Sequence, residues 1–149
     1  MAQTPEFDLP NFPGRLIGRT AGLLSRYVNA EMEKHGVTLE QWIILAHLHE
    51  NDGLEQHQIA MRCAKTKGTI THLLDHLERG NLVYRQPHPR DRRINQVFLT
   101  DKGNELKDKL IRIAYDCIAE MTADIPQDDL ETTYRTLGSM LERLQQLSS

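Results

Sequence analysis

The residues best equipped for chemistry fall within one short stretch. Between Arg62 and Arg93 eight basic side chains stand against three acidic ones, a balance of +5, whereas the 149-residue chain as a whole carries −3 and its remainder therefore −8. A local basic segment on an otherwise acidic protein is the electrostatic footprint of a phosphate-binding surface, because a polyanion is held by clustered Lys and Arg and not by net charge. Two clusters make up the segment. Lys65-Thr66-Lys67-Gly68-Thr69, with Thr71 and His72 just beyond, offers short hydroxyls and cations of the kind that hydrogen-bond phosphates and base edges. Arg90-Asp91-Arg92-Arg93 follows, preceded by Pro87-His88-Pro89. One or two of its arginines are expected to touch only phosphate.

The elements that must position these side chains can be read from spacing. Thr66 is a natural N-cap for a helix over 67–79, in which Ile70, Leu73, Leu74 and Leu77 form the i, i+3, i+4, i+7 stripe of a packed face. The opposite face carries Gly68, His72, Asp75 and Arg79, with Lys65 and Thr69 at its shoulders. A shorter helix over 56–63 precedes it across Ala64-Lys65-Thr66, which is helix-turn-helix spacing. Asn81 sits where a left-handed residue would end the second helix. Strands over 82–86 and 94–99 then form a hairpin with a basic, proline-stiffened tip. Taken alone, the helix reads equally well as an amphipathic element with a solvated face. Its adjacency to an arginine hairpin points to duplex DNA, since a helix in the major groove and a wing in the neighbouring minor groove require this order.

Residues 1–12, with Pro5 and Pro10, read as an arm. A helix from Pro13 runs through Leu16, Ile17, Leu23, Leu24, Tyr27 and Val28 to Met32 and ends before Gly36. Thr38-Leu39-Glu40-Gln41 is a capping box opening a helix that is apolar almost all round (Trp42, Ile43, Leu45, Ala46, Leu48) and is stopped by Asn51-Asp52-Gly53. Thr100 caps a long helix carrying Leu106, Leu110, Ile113, Ala114, Cys117, Ile118 and Met121. After Ile125-Pro126 a last helix shows Leu130, Tyr134, Leu137, Leu141 and Leu144. The apolar faces of these terminal helices exceed what a small domain can cover, so a second copy is expected. The fold is predicted to be mainly α with a small β-hairpin wing. It forms one domain over 1–149, in which dimerisation helices at 13–35 and 104–147 flank a winged helix-turn-helix lobe at 38–100.

Other function classes find little support. No apolar run approaches the roughly 18–20 residues of a membrane span, and the N-terminus lacks the basic start and apolar core of a signal peptide, so a cytoplasmic protein is expected. Cys63 and Cys117 form no CxxC pair and read as reduced, mostly buried residues. His72 and His76 are spaced i, i+4, but on or near the DNA face a structural metal would obstruct docking, while His47 and His49 point apart; neither a metal nor a cofactor is expected. There is no GxSxG, HExxH or phosphate-cradling glycine loop, and Asp128-Asp129 suits the first turn of a helix better than catalysis.

The run from Lys67 to Val83, followed by Asp91-Arg92-Arg93 and by Leu99-Thr100-Asp101-Lys102-Gly103, resembles the MarR (multiple antibiotic resistance regulator) family over nearly the whole chain. The resemblance implies a triangular dimer joined through its first and last helices, each lobe reading half of a near-palindromic operator, and regulation by aromatic acids or oxidants. It implies that Arg93 is the wing-tip arginine entering the minor groove, that Asp91 orients the wing, and that Thr66, Lys67, Thr69, Thr71 and His72 lie on the DNA-reading half of the recognition helix. The chain departs from the family in having His72 in place of the usual arginine and Asn81 in place of glycine. The family's peroxide sensors carry a cysteine near the first helices, and none is present there. If an effector pocket exists, Arg15, Arg19, Tyr27, His35, Trp42, His47 and Tyr115 are its polar and aromatic candidates near the helix junctions. A redox- or metal-responsive regulator, or a DNA-binding dimer with no effector, are the alternatives.

Overall fold

A computed structural model describes residues 8–148, so the first seven residues of the N-terminal arm lie outside it. The elements run α1 (Pro13–Glu33), α2 (Leu39–Glu50), β1 (Leu54–Glu55), α3 (Gln56–Arg62), α4 (Lys67–Arg79), β2 (Val83–Pro87), β3 (Asn95–Leu99), α5 (Asp101–Met121) and α6 (Gln127–Leu147). Each boundary has a local cause. Pro13 supplies a first-turn residue for α1 whose missing N–H costs no bond. Thr38 and Gln41 exchange side-chain and backbone hydrogen bonds in the expected capping box, at 3.2 and 2.9 Å. Thr66 Oγ1 accepts the Thr69 amide to open α4, and Asn81 ends the following turn at φ 56°, in the left-handed region that Asn tolerates.

Two features differ from the sequence reading. The sheet has three strands in the order β1-β3-β2, all antiparallel, because Leu54 and Glu55 pair with Val97 and Gln96 on the free edge of β3. A two-residue strand carries no periodicity that could announce it. A second capping box, Glu55 with Gln58, opens α3 directly from this strand.

The chain divides into two compact units within α5, one up to Ala114 and one from Tyr115 onward. The core of the first unit is built where α2 crosses the helix-turn-helix. Ile44, Leu45 and Leu48 of α2, Ile59 of α3, Ile70, Leu74 and Leu77 of α4, and Val83 and Val97 of the sheet are all essentially inaccessible. Met32 and Val28 bring only the last turns of α1 into this core; Phe12, Leu16, Ile17 and Leu23 remain exposed. The start of α5 is fixed by Thr100, whose hydroxyl accepts the Gly103 amide at 2.9 Å and donates to the Asn81 carbonyl at 2.7 Å. Gly103 has to be glycine here, since a Cβ would lie 1.9 Å from the Leu82 carbonyl oxygen. In the second unit, α6 buries no residue, and Tyr134, Leu137, Met140, Leu141, Leu144 and Leu147 are all exposed.

Candidate nucleic-acid interface

The helix-turn-helix is closed by a tight turn in which Ala64 adopts φ 50° and the Lys65 amide reaches back to the Ala60 carbonyl at 3.0 Å. This geometry presents the first two turns of α4 outward. Thr66, Lys67, Gly68, Thr71 and His72 are exposed and Thr69 is half-buried. On the wing, Arg90, Arg92 and Arg93 are exposed and Asp91 is half-buried. The two sequence clusters meet: Lys65, Lys67 and Thr71 line the same open cleft, of about 870 Å³, as Gln56, Met61 and Arg93. A cleft with cations on both walls, between a protruding helix start and a hairpin, suits a sugar-phosphate strand passing from one groove to the next.

Not every group in the cluster is free to make contacts. The Lys65 ammonium is paired with Glu40 of α2. The Thr71 hydroxyl donates to the Lys67 carbonyl at 2.9 Å and accepts from the Gln56 side chain at 2.6 Å, so it joins α3 to α4. Thr66 and Thr69 share a hydrogen bond of 3.0 Å between their hydroxyls. Lys67 and His72 are thus the more available polar groups of the helix start. Asp75, placed with His72 and Arg79 on one solvated face by helical periodicity, is drawn instead toward β2, where Arg85 holds it at 2.6 Å.

Arg93 is held in place before any DNA is met. Its Nε and Nη2 donate to the two carboxylate oxygens of Asp91 at 3.0 and 2.9 Å, and its amide donates to Asp91 Oδ1 at 3.0 Å. The side chain is nevertheless 89% exposed. These bonds hold the Asp91 carboxyl below its usual value and raise the Arg93 guanidinium above its own. A carboxylate whose pKa is depressed in the folded state contributes stability above the ordinary carboxylate range, and loses it as the pH falls through the lowered value. The wing-tip pair therefore stays intact through the neutral and mildly acidic range. A fixed, planar, exposed guanidinium is what a narrow groove selects, since little side-chain freedom is lost on insertion.

The effector candidates are dispersed. Arg15, Arg19 and Tyr27 lie exposed along α1, His35 is half-buried just after it, Trp42 and His47 are half-buried on α2, and Tyr115 is exposed in the second unit. None of them lines the cleft beside the wing or the one formed by Asn29, Glu33, Gln41, His72 and His76. One detail escaped the sequence: the Trp42 indole N–H is buried with no hydrogen-bond partner among the described residues, a costly state for a donor.

Among the described residues, no group of three or more His, Cys, Asp or Glu is placed to hold a metal ion, and no helix is long and apolar enough to cross a membrane. His72 and His76 pack ring against ring, edge to face, at 4.6 Å. Cys117 is buried as expected, but Cys63, the C-cap residue of α3, is only half-buried. Burial pushes the Cys63 thiol up, against the nearby Lys65 ammonium that pulls it down and Glu40 that adds to the rise. A thiol so placed supplies little thiolate. Cys63→Ser is accordingly expected to leave DNA affinity unchanged with and without peroxide, as measured by fluorescence anisotropy; peroxide release that the substitution abolishes would reverse this.

A family model described as MarR family matches residues 35–94. The HTH-type transcriptional regulator TtmR of Methylorubrum extorquens is 32% identical over 97% of this chain and 74% of its own length. The chain belongs to the MarR family. Among solved structures, the S. aureus MepR–DNA complex matches this MarR-family chain at a TM-score of 0.78 and 25% identity, covering 92% of this chain and 99% of that one. CouR from Rhodococcus jostii RHA1, solved bound to p-coumaroyl-CoA, matches at 0.79 and 25%, covering 91% and 95%. This MarR-family protein is a DNA-binding transcription regulator with a winged helix-turn-helix, and it is not an enzyme.

Proposed function

We propose that this regulator works in the cytoplasm as a homodimeric repressor, bound to a near-palindromic operator and released by a small aromatic or phenolic acid. The observation that carries the DNA reading is the shared cleft. Lys67 at the start of α4 and Arg93 at the wing line one surface, so helix and wing meet a single duplex together. Lys65, Thr66, Gly68, Thr69, Thr71, Arg90 and Arg92 surround them as phosphate contacts or supports, and Asp91 aims Arg93. Dimerisation through 13–35 and 104–147, around a reading lobe at 38–100, is supported by the uncovered apolar residues of α1 and α6.

Control follows from spacing. An effector releases DNA only if it binds one separation of the two lobes better than another. Trp42 favours a site at α2, because its buried indole N–H lacks an acceptor among the described residues, one that a ligand carboxylate or phenol would provide. Arg15 or Arg19 would supply the cation. CouR, solved bound to p-coumaroyl-CoA, supports an aromatic effector. Salicylate-like acids titrated with and without operator should show a coupling of about 5- to 150-fold in affinity and should raise the melting temperature of the free dimer. Trp42→Phe, which removes the N–H together with the five-membered ring of the indole, should weaken the ligand and leave DNA binding unaltered. Equal ligand affinity in the presence and absence of operator would refute effector control.

A further inference from the structure

Arg85 reads as an ordinary strand residue in the sequence, yet its side chain is only 21% exposed and saturated with partners. From the middle of β2 its Nη2 donates to Asp75 Oδ1 and to Glu78 Oε2, each at 2.6 Å, and its Nε reaches Glu78 Oε2 at 3.2 Å. Its backbone amide donates to the other oxygen of Glu78 at 3.0 Å. Both carboxylates belong to α4, one turn apart on the flank that faces the wing. A planar guanidinium spans two such carboxylates, whereas the point charge of a lysine does not. The cluster holds the Glu78 carboxyl below its usual range, chiefly through the Arg85 side-chain bond.

The other polar links of the sheet to the lobe lie elsewhere. Leu99 donates to Asp52, Gln96 donates to the Gly53 carbonyl, and Thr100 is bonded to Leu82, which fix β3 and the hairpin base, while His88 just past β2 stands 3.9 Å from Glu55 of β1. Between β2 and α4, Arg85 is the clamp. Arg90 at the tip lies five positions further on, up to about 16 Å of extended chain, so a tilt of about 10° at the clamp displaces the tip by about 3 Å. A shift of that size takes a guanidinium out of hydrogen-bond range of a groove edge.

We propose that Arg85 is a positioning residue for operator specificity: it locks the wing onto the recognition helix and thereby places Arg93, without touching DNA itself. The inference rests on the reading of Arg93 given above.

The test uses the full chain with Arg85→Met, Arg85→Lys and Glu78→Gln, each also combined with Arg93→Ala. It compares binding to operator, to operator with altered flanks and to unrelated DNA, and follows amide exchange in the free protein. Arg85→Met should weaken operator binding about tenfold, abolish flank preference and leave unrelated DNA nearly unaffected, with Arg93→Ala adding little further loss because both act through one contact. Arg85→Lys, which retains one ion pair, should restore part of the affinity, and Glu78→Gln should produce a smaller loss of the same kind. In the free protein, amides of β2 and β3 should exchange faster while those of α4 hold. Losses that multiply in the double variant, or intact flank preference in Arg85→Met, would overturn the proposal. Should Arg93→Ala itself prove silent, the reading of the wing fails, and unchanged exchange in β2 and β3 would then separately dispose of the clamp.

Discussion

Leu137→Glu/Leu141→Glu is expected to cost about 100- to 10,000-fold in operator affinity, although every proposed DNA contact remains. Both side chains are exposed on α6, so charges there do not disturb the packing of a single chain. In a dimer the same positions are covered by apolar neighbours, and two buried carboxylates per copy break the association. Separated lobes then lose the effective concentration that lets one bound half-site recruit the other. Light scattering should report a dimer for the native chain at micromolar concentration and a folded monomer for the variant. A dimeric variant that still binds tightly would place the interface elsewhere.

Arg93→Ala carries the second large effect. A guanidinium pre-aimed by both oxygens of Asp91 would enter the groove already ordered, and its loss should weaken operator binding by about 10- to 100-fold while relaxing the preference for A·T-rich flanks. Arg90, which has no such carboxylate clamp among the described residues, serves as the control. Arg90→Ala should weaken all sequences alike and lower the slope of log affinity against log salt by about 1. If both substitutions act identically, the wing is a phosphate clamp and reads no groove.

The parts of this account that were legible in the sequence are those fixed by local rules. The Thr38 capping box, the Thr66 N-cap, the left-handed Asn81 and the Thr100 cap all depend on residues within a few positions of one another, and each stands where its spacing puts it. Exposure of Leu16, Leu23, Leu137 and Leu141 also follows from periodicity, since the stripe is longer than the core it could reach. What stayed hidden depends on segments distant in the chain. β1 becomes a strand only because β3 offers an edge. The pairing of Lys65 with Glu40 joins residues 25 positions apart and ties the turn to α2. Asp75 looked solvated from helical periodicity alone, and the Arg85 that takes it lies across a later strand. The Trp42 N–H is conspicuous only once the atoms around it are placed.

The most direct test of the central claim is to select bound fragments from a random-sequence DNA library and footprint the winner. The account predicts one enriched near-palindrome whose half-site centres lie about one helical turn, roughly 34–36 Å, apart, protected by two chains. It also predicts major-groove contacts in each half-site and minor-groove protection at the flanks. No enriched sequence, or a single half-site filled by one chain, would contradict it.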